Sequence, residues 1–599
     1  VTPSPLIDVQ LHLVESVDDA MAFMTWLGQR RDTPLGLDTE TSGLSPYRDT
    51  LRTIQIGDLH DGWVIPWQEW GGVAREAFRR YTGELVAHNL PFDWQFIAEH
   101  TGIELPWERL HDTLPMARLD DPTRSNGLKP LVKKLVDPTA AAGQRELDEG
   151  MGANGWTWAT VPMDYPPYWI YAALDPVETV HLERHLAPRI QASCPEAYSL
   201  ERATNRICTQ MMRKGMLLDV PYVQKSMDEF DAKSDQIRAW LKSAHKITSP
   251  KSSAQIARSF EALGQAIPSS PEFWTERHAP KFDKDTLAFY SKKGENTAVR
   301  QLAQYIRAVR HIEDIRDRYS AKFLELRDAH DVIHCNINPM GARTGRMSVS
   351  DPALQQLPRD DKVIRGSFIP RPGHVFISVD LDQVEARLLA HLSQDPGLIQ
   401  AFLEADTTGP DFFTVVARAL YGDDTLVKSD PRRQLTKNSV YAKAYGGGRE
   451  KIAMTSGASL DHVAFFETMF ESRFPGMKRL MTQLEQDAKG AFRRGQRGGV
   501  RLEDGRFLPC DKGKEYATLN YDIQGTAAIF MKRALTHMDA AGIGHMLVLV
   551  VHDEAILEVP IGQAEEVLRI VQDCMTDRTN YLVPLTAGGT ILTERWQKA

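Results

Sequence analysis

Asp38 and Glu40 stand two residues apart in LGLDTET, a strand-like run whose alternation turns both carboxylates to one face. Paired carboxylates at a strand end suit a divalent cation held through hard oxygen ligands, although D-x-E alone also fits a solvated turn. Further along, HNLPFDWQFI sets Asn89 and Asp93 four apart at the opening of an apolar helical pattern. In YWIYAALDPVET, Tyr171 and Asp175 occupy i and i+4, one face of a helix. A different chemistry is written in SDPRRQLTKNSVYAKAYGGG. There Asp430 can cap a helix, Pro431 suits its first position, and Gly446–Gly448 end it. Inside it Arg433, Lys437, Tyr441 and Tyr445 recur every four residues, a slowly drifting stripe on one face. Two cations followed by two aromatic rings fit a nucleotide, the cations meeting a triphosphate and the rings a sugar and base. Two more acids sit in apolar surroundings. HVFISVDLDQVEARLLAHLSQD places Asp380 at the end of a strand and Glu385 at the opening of a helix, and His552-Asp553-Glu554 interrupts HMLVLVVHDEAILEV. An acidic turn in so apolar a hairpin costs desolvation unless it meets a cation or water, a solvent-facing turn being the alternative for either segment alone.

The elements that must position these residues fall into blocks. Residues 35–65 alternate strand-like runs with turns, predicting a small mixed sheet, and helical patterns follow to about residue 190, together an α/β domain. Residues 199–245 and 297–330 carry charged helical periodicity around a polar, Pro/Ser-rich stretch, which predicts two long helices with an irregular tip. Strands return after residue 346, divided by a helical block from about 395 to 495. A chain of 599 residues exceeds a single core, so two to four domains are expected. With 42% hydrophobic and 25% charged residues it has the composition of an ordinary globular protein. No run of 18 apolar residues occurs, which excludes a membrane-spanning helix. Asp8, Glu15, Asp18 and Asp19 break up the first 30 residues, unlike a signal peptide. Five cysteines (Cys194, Cys208, Cys335, Cys510, Cys574) lack metal or disulfide spacing, which points to a cytoplasmic protein. The formal charge of −9 speaks against a nucleic-acid binder, but its distribution matters more than its sum. Lys428, Arg432, Arg433, Lys437, Lys443, Arg449 and Lys451 face only Asp430 and Glu450 in sequence, and Arg493, Arg494, Arg497, Arg501 and Arg506 form a second basic stretch. Composition alone leaves both stretches open to the reading of solvated surface.

The first group of motifs, in this order over roughly residues 30–185, resembles the DEDDy proofreading 3′–5′ exonucleases. That resemblance implies that Asp38, Glu40, Asp93 and Asp175 hold two Mg²⁺ or Mn²⁺ ions and that Tyr171 orients the attacking water. Two such ions stabilise both the entering hydroxide and the leaving 3′ oxygen of an in-line displacement. Asp112 is a secondary match, more structural than catalytic. The second group resembles family A DNA polymerases. The resemblance gives Arg433 and Lys437 to the incoming dNTP, Tyr441 to the sugar-sensing position and Tyr445 to the position beside the template base. It makes Asp380 and Asp553 the palm metal ligands, the Leu381 carbonyl a possible helper, Glu554 supportive, and Glu385 a block to a ribose 2′-OH. MGARTGRMSVSDPALQQLP and LNYDIQGTAA resemble further family segments, which assign primer-template contacts to Arg346, Gln355, Asn520 and Gln524, and the resemblance of His552-Asp553-Glu554 to the family's H-D-E motif adds His552 to them.

The implied fold is α/β and α+β multidomain: a ribonuclease-H-like exonuclease over residues 1–195, followed by a right-hand polymerase over 196–599. Its thumb would span about 200–340, its palm about 341–394 and 496–599, and its fingers about 395–495. Departures from the family pattern stand at Leu381, at Asp382 in place of a serine, at Tyr516 in place of an arginine, and at Asp411-Phe412-Phe413, which lacks a histidine. Asp382 follows Asp380 by two residues, so its carboxylate either shares that face or points to solvent past the strand end. A single-subunit RNA polymerase would share the palm acids, but Glu385 and the exonuclease motifs argue against it. Retention of all six metal carboxylates argues against a decayed, non-catalytic scaffold, and primer extension would separate a nuclease with a vestigial polymerase. The layout, with no segment left over for a 5′-nuclease, suggests a monomeric bacteriophage replicative enzyme in the host cytoplasm, working on primer-template DNA and dNTPs with accessory replication proteins.

Overall fold

Six strands make the first sheet: β1 (Gln10–Leu13), β2 (Leu35–Thr41), β3 (Leu51–Gly57), β4 (Asp61–Pro66), β5 (Leu85–Ala87) and β6 (Leu110–Asp112), in the order β1-β4-β3-β2-β5-β6. β2 lies inside this sheet, antiparallel to β3 and parallel to β5. Leu35, Leu37, Ile54, Ile56, Ile65 and Val86 are buried along it, the apolar character expected of strands covered on both faces. The helix Pro166–Ser193 lies against this sheet at backbone contact. A Cβ added at Gly36 of β2 would fall 2.0 Å from the Pro176 carbonyl oxygen, and one at Gly62 of β4 would fall 2.0 Å from that of Ala173. Glycine at these two positions therefore sets how near Tyr171 and Asp175 come to β2.

The computed structural model describes residues 8–597 apart from Thr139, Ala141, 358–361 and Gly457, and the chain divides into two units. The first takes Val1–Lys214, Ile337–Ser348 and Ile377–Ile591; the second takes Gly215–Asn336, Val349–Phe376 and Leu592–Ala599. A second sheet, whose residues from Ile377 to Ile591 belong to the first unit, joins β7 (His374–Leu381), β8 (Leu547–Val551), β9 (Glu554–Pro560) and β10 (Ala587–Leu592) in the order β8-β9-β7-β10. Between β7 and β8 in sequence run the helices Val384–Ser393, Pro396–Thr408, Phe412–Tyr421, Pro431–Ala444, Leu460–Arg473 and Pro475–Arg493, matching the expected helical block.

Residues 200–214, expected with the thumb helices, belong to the first unit. The cause is a buried ionic cluster. Glu201 on the helix Pro195–Lys214 accepts from Lys532 on the helix Thr518–Ala540 and forms an ion pair with Arg506 at 2.9 Å, and Arg506 also pairs with Asp504 at 2.6 Å. All four residues are buried, and leaving any one of these charges without its partners would cost about 3–5 kcal/mol. Residues 349–376, expected with the palm, fall in the second unit, where Phe368 meets Trp596 with ring centroids 5.9 Å apart.

The second unit also revises the expected irregular tip. Its helices Val220–His245 and Thr297–Ile315 are joined through two shorter helices, Ser253–Ala262 and Lys284–Lys293. Ser252 and Asp283 cap them through side-chain acceptors, so the polar residues that read as loop are helix starts. Ile256, Phe260, Phe282, Leu287 and Tyr290 then share one core with Leu302, Ile306 and Val309. Among the described residues no helix is long and apolar enough to cross a membrane.

Candidate active sites

β2 places Asp38 opposite Gln55 and Glu40 opposite Thr53, so the two carboxylates share a face as their spacing predicts. Asp175 reaches that face from the helix Pro166–Ser193. Asp38, Glu40 and Asp175 each offer a carboxylate oxygen, all within 4.8 Å of one another. Asp93 stays outside this group: buried on the helix Leu90–Thr101, it accepts from the Thr39 hydroxyl at 2.7 Å. Its charge still acts on Asp38. Burial, then Asp93, Asp175 and Glu40, push the Asp38 carboxyl well above its ordinary range. Burial likewise pushes Glu40 and Asp93 up to about 8. A recess this rich in mutually repelling acids is matched to a hard divalent cation.

Lys129, which nothing in the sequence singled out, enters from the helix Leu128–Leu135. Its ammonium donates to Asp175 and, at 2.9 Å, to Glu178, and lies 4.4 Å from the centre of the Tyr171 ring. Nearby acids, Asp175 first, and then burial push the Tyr171 phenol up, so it stays protonated and able to donate. Asp112 is a structural hub. It caps the helix Thr113–Asp120 and accepts from the Asn89 and Leu90 amides at 2.9 and 3.1 Å and from Asn205 at 2.9 Å.

The second site lies at the β7 end and the β8–β9 turn. Asp380 belongs to β7, and the Leu381 amide donates to the Asp553 carbonyl at 3.2 Å, tying the two segments together. His552 takes φ +57° in this turn. Burial pushes Asp553 up to about 6; Arg346, 3.9 Å away, opposes the shift, while Glu385 and Asp380 add to it. Arg346 pairs with Glu385 at 2.6 Å, and Glu385 also accepts from the Tyr445 hydroxyl. Buried Glu554 accepts from Ser378.

The helix Pro431–Ala444 begins as predicted, with Asp430 capping through the Arg432 amide, and Tyr445 stands at its C-terminal cap. Lys437 follows Arg433 by one turn on this helix. Arg433 pairs with Asp411 at 2.9 Å. The Tyr441 ring lies 5.4 Å from Phe413 and 6.2 Å from Tyr445. Burial, then the charges of Glu385 and Asp553, push the Tyr441 phenol up to about 12, so this ring lies in the field of both acids. Asn520 and Gln524 lie one turn apart on the helix Thr518–Ala540, and the buried Asn520 Oδ1 has no hydrogen-bond partner among the described residues. Gln355 belongs to the short turn Leu354–Gln356 of the second unit.

Asp382 follows the second of its expected courses: β7 stops at Leu381 and Gln383 takes φ +50° to start the next helix, so the exposed Asp382 carboxylate lies past the strand end, where it accepts from the Thr586 hydroxyl at 2.9 Å. Tyr516 packs against Gly446: a Cβ there would fall 2.2 Å from its ring. Much of the basic run is neutralised inside the fold. Arg432 pairs with Asp423 and Asp430, and Lys443 and Arg449 pair with Glu467 at 3.5 and 2.6 Å.

Comparison with known proteins agrees with this arrangement. Residues 221–598 match the family profile described as DNA polymerase family A, and residues 14–191 match that of a 3′–5′ exonuclease. The DNA polymerase of Mycobacterium phage D29 is 29% identical over 589 residues, covering 95% of this chain and 94% of that protein. That of Mycobacterium phage L5 is 30% identical over 575 residues, covering 93% and 92%. DNA polymerase I of Chloroflexus aurantiacus is 27% identical over 612 residues, covering 96% of this chain and 62% of that protein. Among solved structures, the POL domain of Pol1 from M. smegmatis, in complex with DNA primer-template and dNTP, superposes with a TM-score of 0.77 at 22% identity. It covers 98% of this chain and 99% of that one. The fold is thus an exonuclease domain followed by a polymerase domain. The chain belongs to DNA polymerase family A and is a DNA-directed DNA polymerase with a 3′–5′ exonuclease domain.

Proposed function

We propose that the chain extends a primer 3′ end with dNTPs at the Asp380/Asp553 site and removes misincorporated 3′ nucleotides at the Asp38/Glu40/Asp175 site. The observation carrying this reading is that two groups of acids lie on different sheets, and the helix Pro431–Ala444 stands beside the second, with Tyr445 donating to Glu385 and Tyr441 in the field of Glu385 and Asp553. Asp380 and Asp553 would hold the polymerase ions, and Asp38, Glu40, Asp93 and Asp175 those of the exonuclease, Mg²⁺ or Mn²⁺ in each case. When bound, the ions lower the pKa of the attacking oxygen and neutralise phosphate charge. Arg433 and Lys437 bind the triphosphate, Tyr441 and Tyr445 border the sugar and base, and Tyr171 orients the water that attacks a mispaired 3′ end. Arg346, Gln355, Asn520, Gln524 and His552 contact primer-template DNA, the ligand carried by the M. smegmatis structure. The exonuclease would span 1–195 and the thumb, palm and fingers lie within 196–599, with 200–214 grouped outside the thumb and 349–376 outside the palm. Whole-length similarity to two mycobacteriophage polymerases supports a phage replicative role, as a monomer in the host cytoplasm. Primer extension and 3′-end digestion on one defined, end-labelled primer-template test the reading; absence of extension with Mg²⁺ and all four dNTPs would overturn it.

Glu385→Ala is expected to lower the ratio of kcat/KM for dNTP over rNTP by about tenfold or more. Its carboxylate is fixed between Arg346 and the Tyr445 hydroxyl, so it cannot swing aside to admit a 2′-OH. Overall rate falls as well, since both partners lose their anchor, and the ratio is therefore the quantity to measure. An unchanged ratio removes Glu385 from the gate.

Tyr441→Phe is expected to strengthen discrimination against ddNTPs by about tenfold while normal dNTP use barely changes. The protonated phenol can take the space and hydrogen-bonding role of a missing 3′-OH; a phenyl ring cannot. Competition between dNTP and ddNTP on a nuclease-resistant primer terminus checks it. Strong rejection of ddNTPs by the wild type would show that Tyr441 only packs the helix.

A further inference from the structure

Arg433 is gripped from behind. Its Nη2 donates to Asp411 Oδ1 at 2.9 Å and its Nε to the same oxygen at 3.2 Å, while the guanidinium lies 5.6 Å from the centre of the Phe413 ring. The gripping groups are themselves held. Asp411 caps the helix Phe412–Tyr421, accepting from the Thr414 amide and hydroxyl, each at 3.2 Å. Burial pushes the Asp411 carboxyl up, but Arg433 and Thr414 together outweigh it and keep the acid ionised. Phe413 is buried against Tyr441, and its neighbour Phe412 stacks on Phe402 with centroids 3.8 Å apart. One edge and one face of the guanidinium are thereby occupied. Its Nη1 makes a long 3.4 Å approach to exposed Gln434.

We propose that Asp411 is a positioning residue for nucleotide binding, holding Arg433 on the Phe413 ring so that the Nη1 edge is presented to the triphosphate. This rests on the reading of Arg433 as a triphosphate contact. A free arginine gives up rotamer entropy when it is ordered, and a fork already clamped loses less of it on binding. The acid cancels part of the charge of Arg433, so that Arg433 contributes direction while Lys437, one turn on, contributes charge. Phe413 fits this division of labour: an apolar ring supports the guanidinium without competing for its donors.

Two substitutions separate the clamp from the helix cap. Asp411→Ser keeps a capping hydroxyl but is too short to reach Arg433; Asp411→Asn keeps both the cap and a carbonyl acceptor. In single-nucleotide incorporation with Mg²⁺ on a defined primer-template, Asp411→Ser is expected to raise the KM for dNTP about tenfold, leaving primer-template affinity unchanged. Asp411→Asn is expected to stay within about threefold of wild type, and Asp411→Ser made in an Arg433→Gln background should add nothing further. An unchanged KM in Asp411→Ser, a lower KM in both variants, or an equal loss persisting beside Arg433→Gln would overturn the clamp. If Arg433→Gln alone leaves the dNTP KM unchanged, the triphosphate reading of Arg433 fails first and takes the clamp with it. If Arg433→Gln raises KM and Asp411→Ser does not, only the clamp fails.

Discussion

Asparagine in place of Asp380 or Asp553 is expected to lower kcat for primer extension by about 10³-fold or more while 3′-end digestion continues. Each change removes a full negative charge from a site where transition-state stabilisation is electrostatic, and leaves a side chain of nearly the same shape. The structure separates this outcome from simple damage. Asp553 is pushed up to about 6, chiefly by burial, so its ionised form weighs against the metal-free fold. The sign follows directly: a carboxyl whose folded pKa lies above its unfolded value binds more protons when folded. Its contribution is favourable below about pH 4 and is lost as pH rises toward 6. Metal-free Asp553→Asn should therefore match the wild type in acid and exceed it in stability by on the order of 1–3 kcal/mol at neutral pH. Thermal melting in EDTA at several pH values, beside extension with Mg²⁺, checks both halves. Wild-type extension by either variant would remove these acids from the polymerase site.

What could be read from sequence, and what could not, divides by the range of the interactions involved. Asp38 with Glu40, Tyr171 with Asp175, and the capped helix from Asp430 are local: strand period, helix period and cap chemistry lie within a few residues of each other. Lys129 belongs to LKPLVKKL, where it looks like any lysine of a polar helix face. Its importance comes from Asp175 and Glu178, far along the chain, and no spacing announces it. Gly36 and Gly62 are equally silent, because their role is to let another helix's carbonyls approach. The two short helices between Val220–His245 and Thr297–Ile315 escaped notice because serine, aspartate and proline serve loops and helix starts alike. Asp382 shows where a local rule stops: two courses were open to it, and the end of β7 at Leu381 with the turn at Gln383 leaves it exposed past the strand.

The charge balance makes the same point over longer distances. A run of cations from Lys428 to Lys451 looks like a surface for a polyanion, yet Arg432, Arg433, Lys443 and Arg449 are each matched by a carboxylate. Arg506, from the second basic stretch, is buried between Asp504 and Glu201. The acidic excess of the chain is thus compatible with a DNA-directed enzyme, since part of it is paired with the chain's own cations.

Asp38→Ala combined with Glu40→Ala is expected to lower 3′-end digestion by about 10³-fold or more, with primer extension near normal. Both acids project from one face of β2 into a cluster with Asp175, and their removal takes two negative charges from it. Asp175 and Glu178 remain but are held by Lys129, and Asp93 remains on another helix, so the β2 pair that joins them in one cluster is gone. The fold should survive. β2 is hydrogen-bonded to β3 and β5 through its backbone, and alanine keeps a Cβ at both positions. Burial and mutual repulsion push both acids up, Glu40 to about 8, so the metal-free double variant should melt no lower than the wild type at neutral pH. Extension is spared because its acids lie on the other sheet, at the end of β7 and the β8–β9 turn. The measurement is digestion of a 5′-labelled single strand and extension of a matched primer, both from one preparation. A primer ending in a mismatch sharpens it: the wild type should trim and then extend, whereas the double variant should stall or extend the mismatch untrimmed. Undiminished digestion in a preparation free of other nucleases would show that these acids are not the site of cleavage.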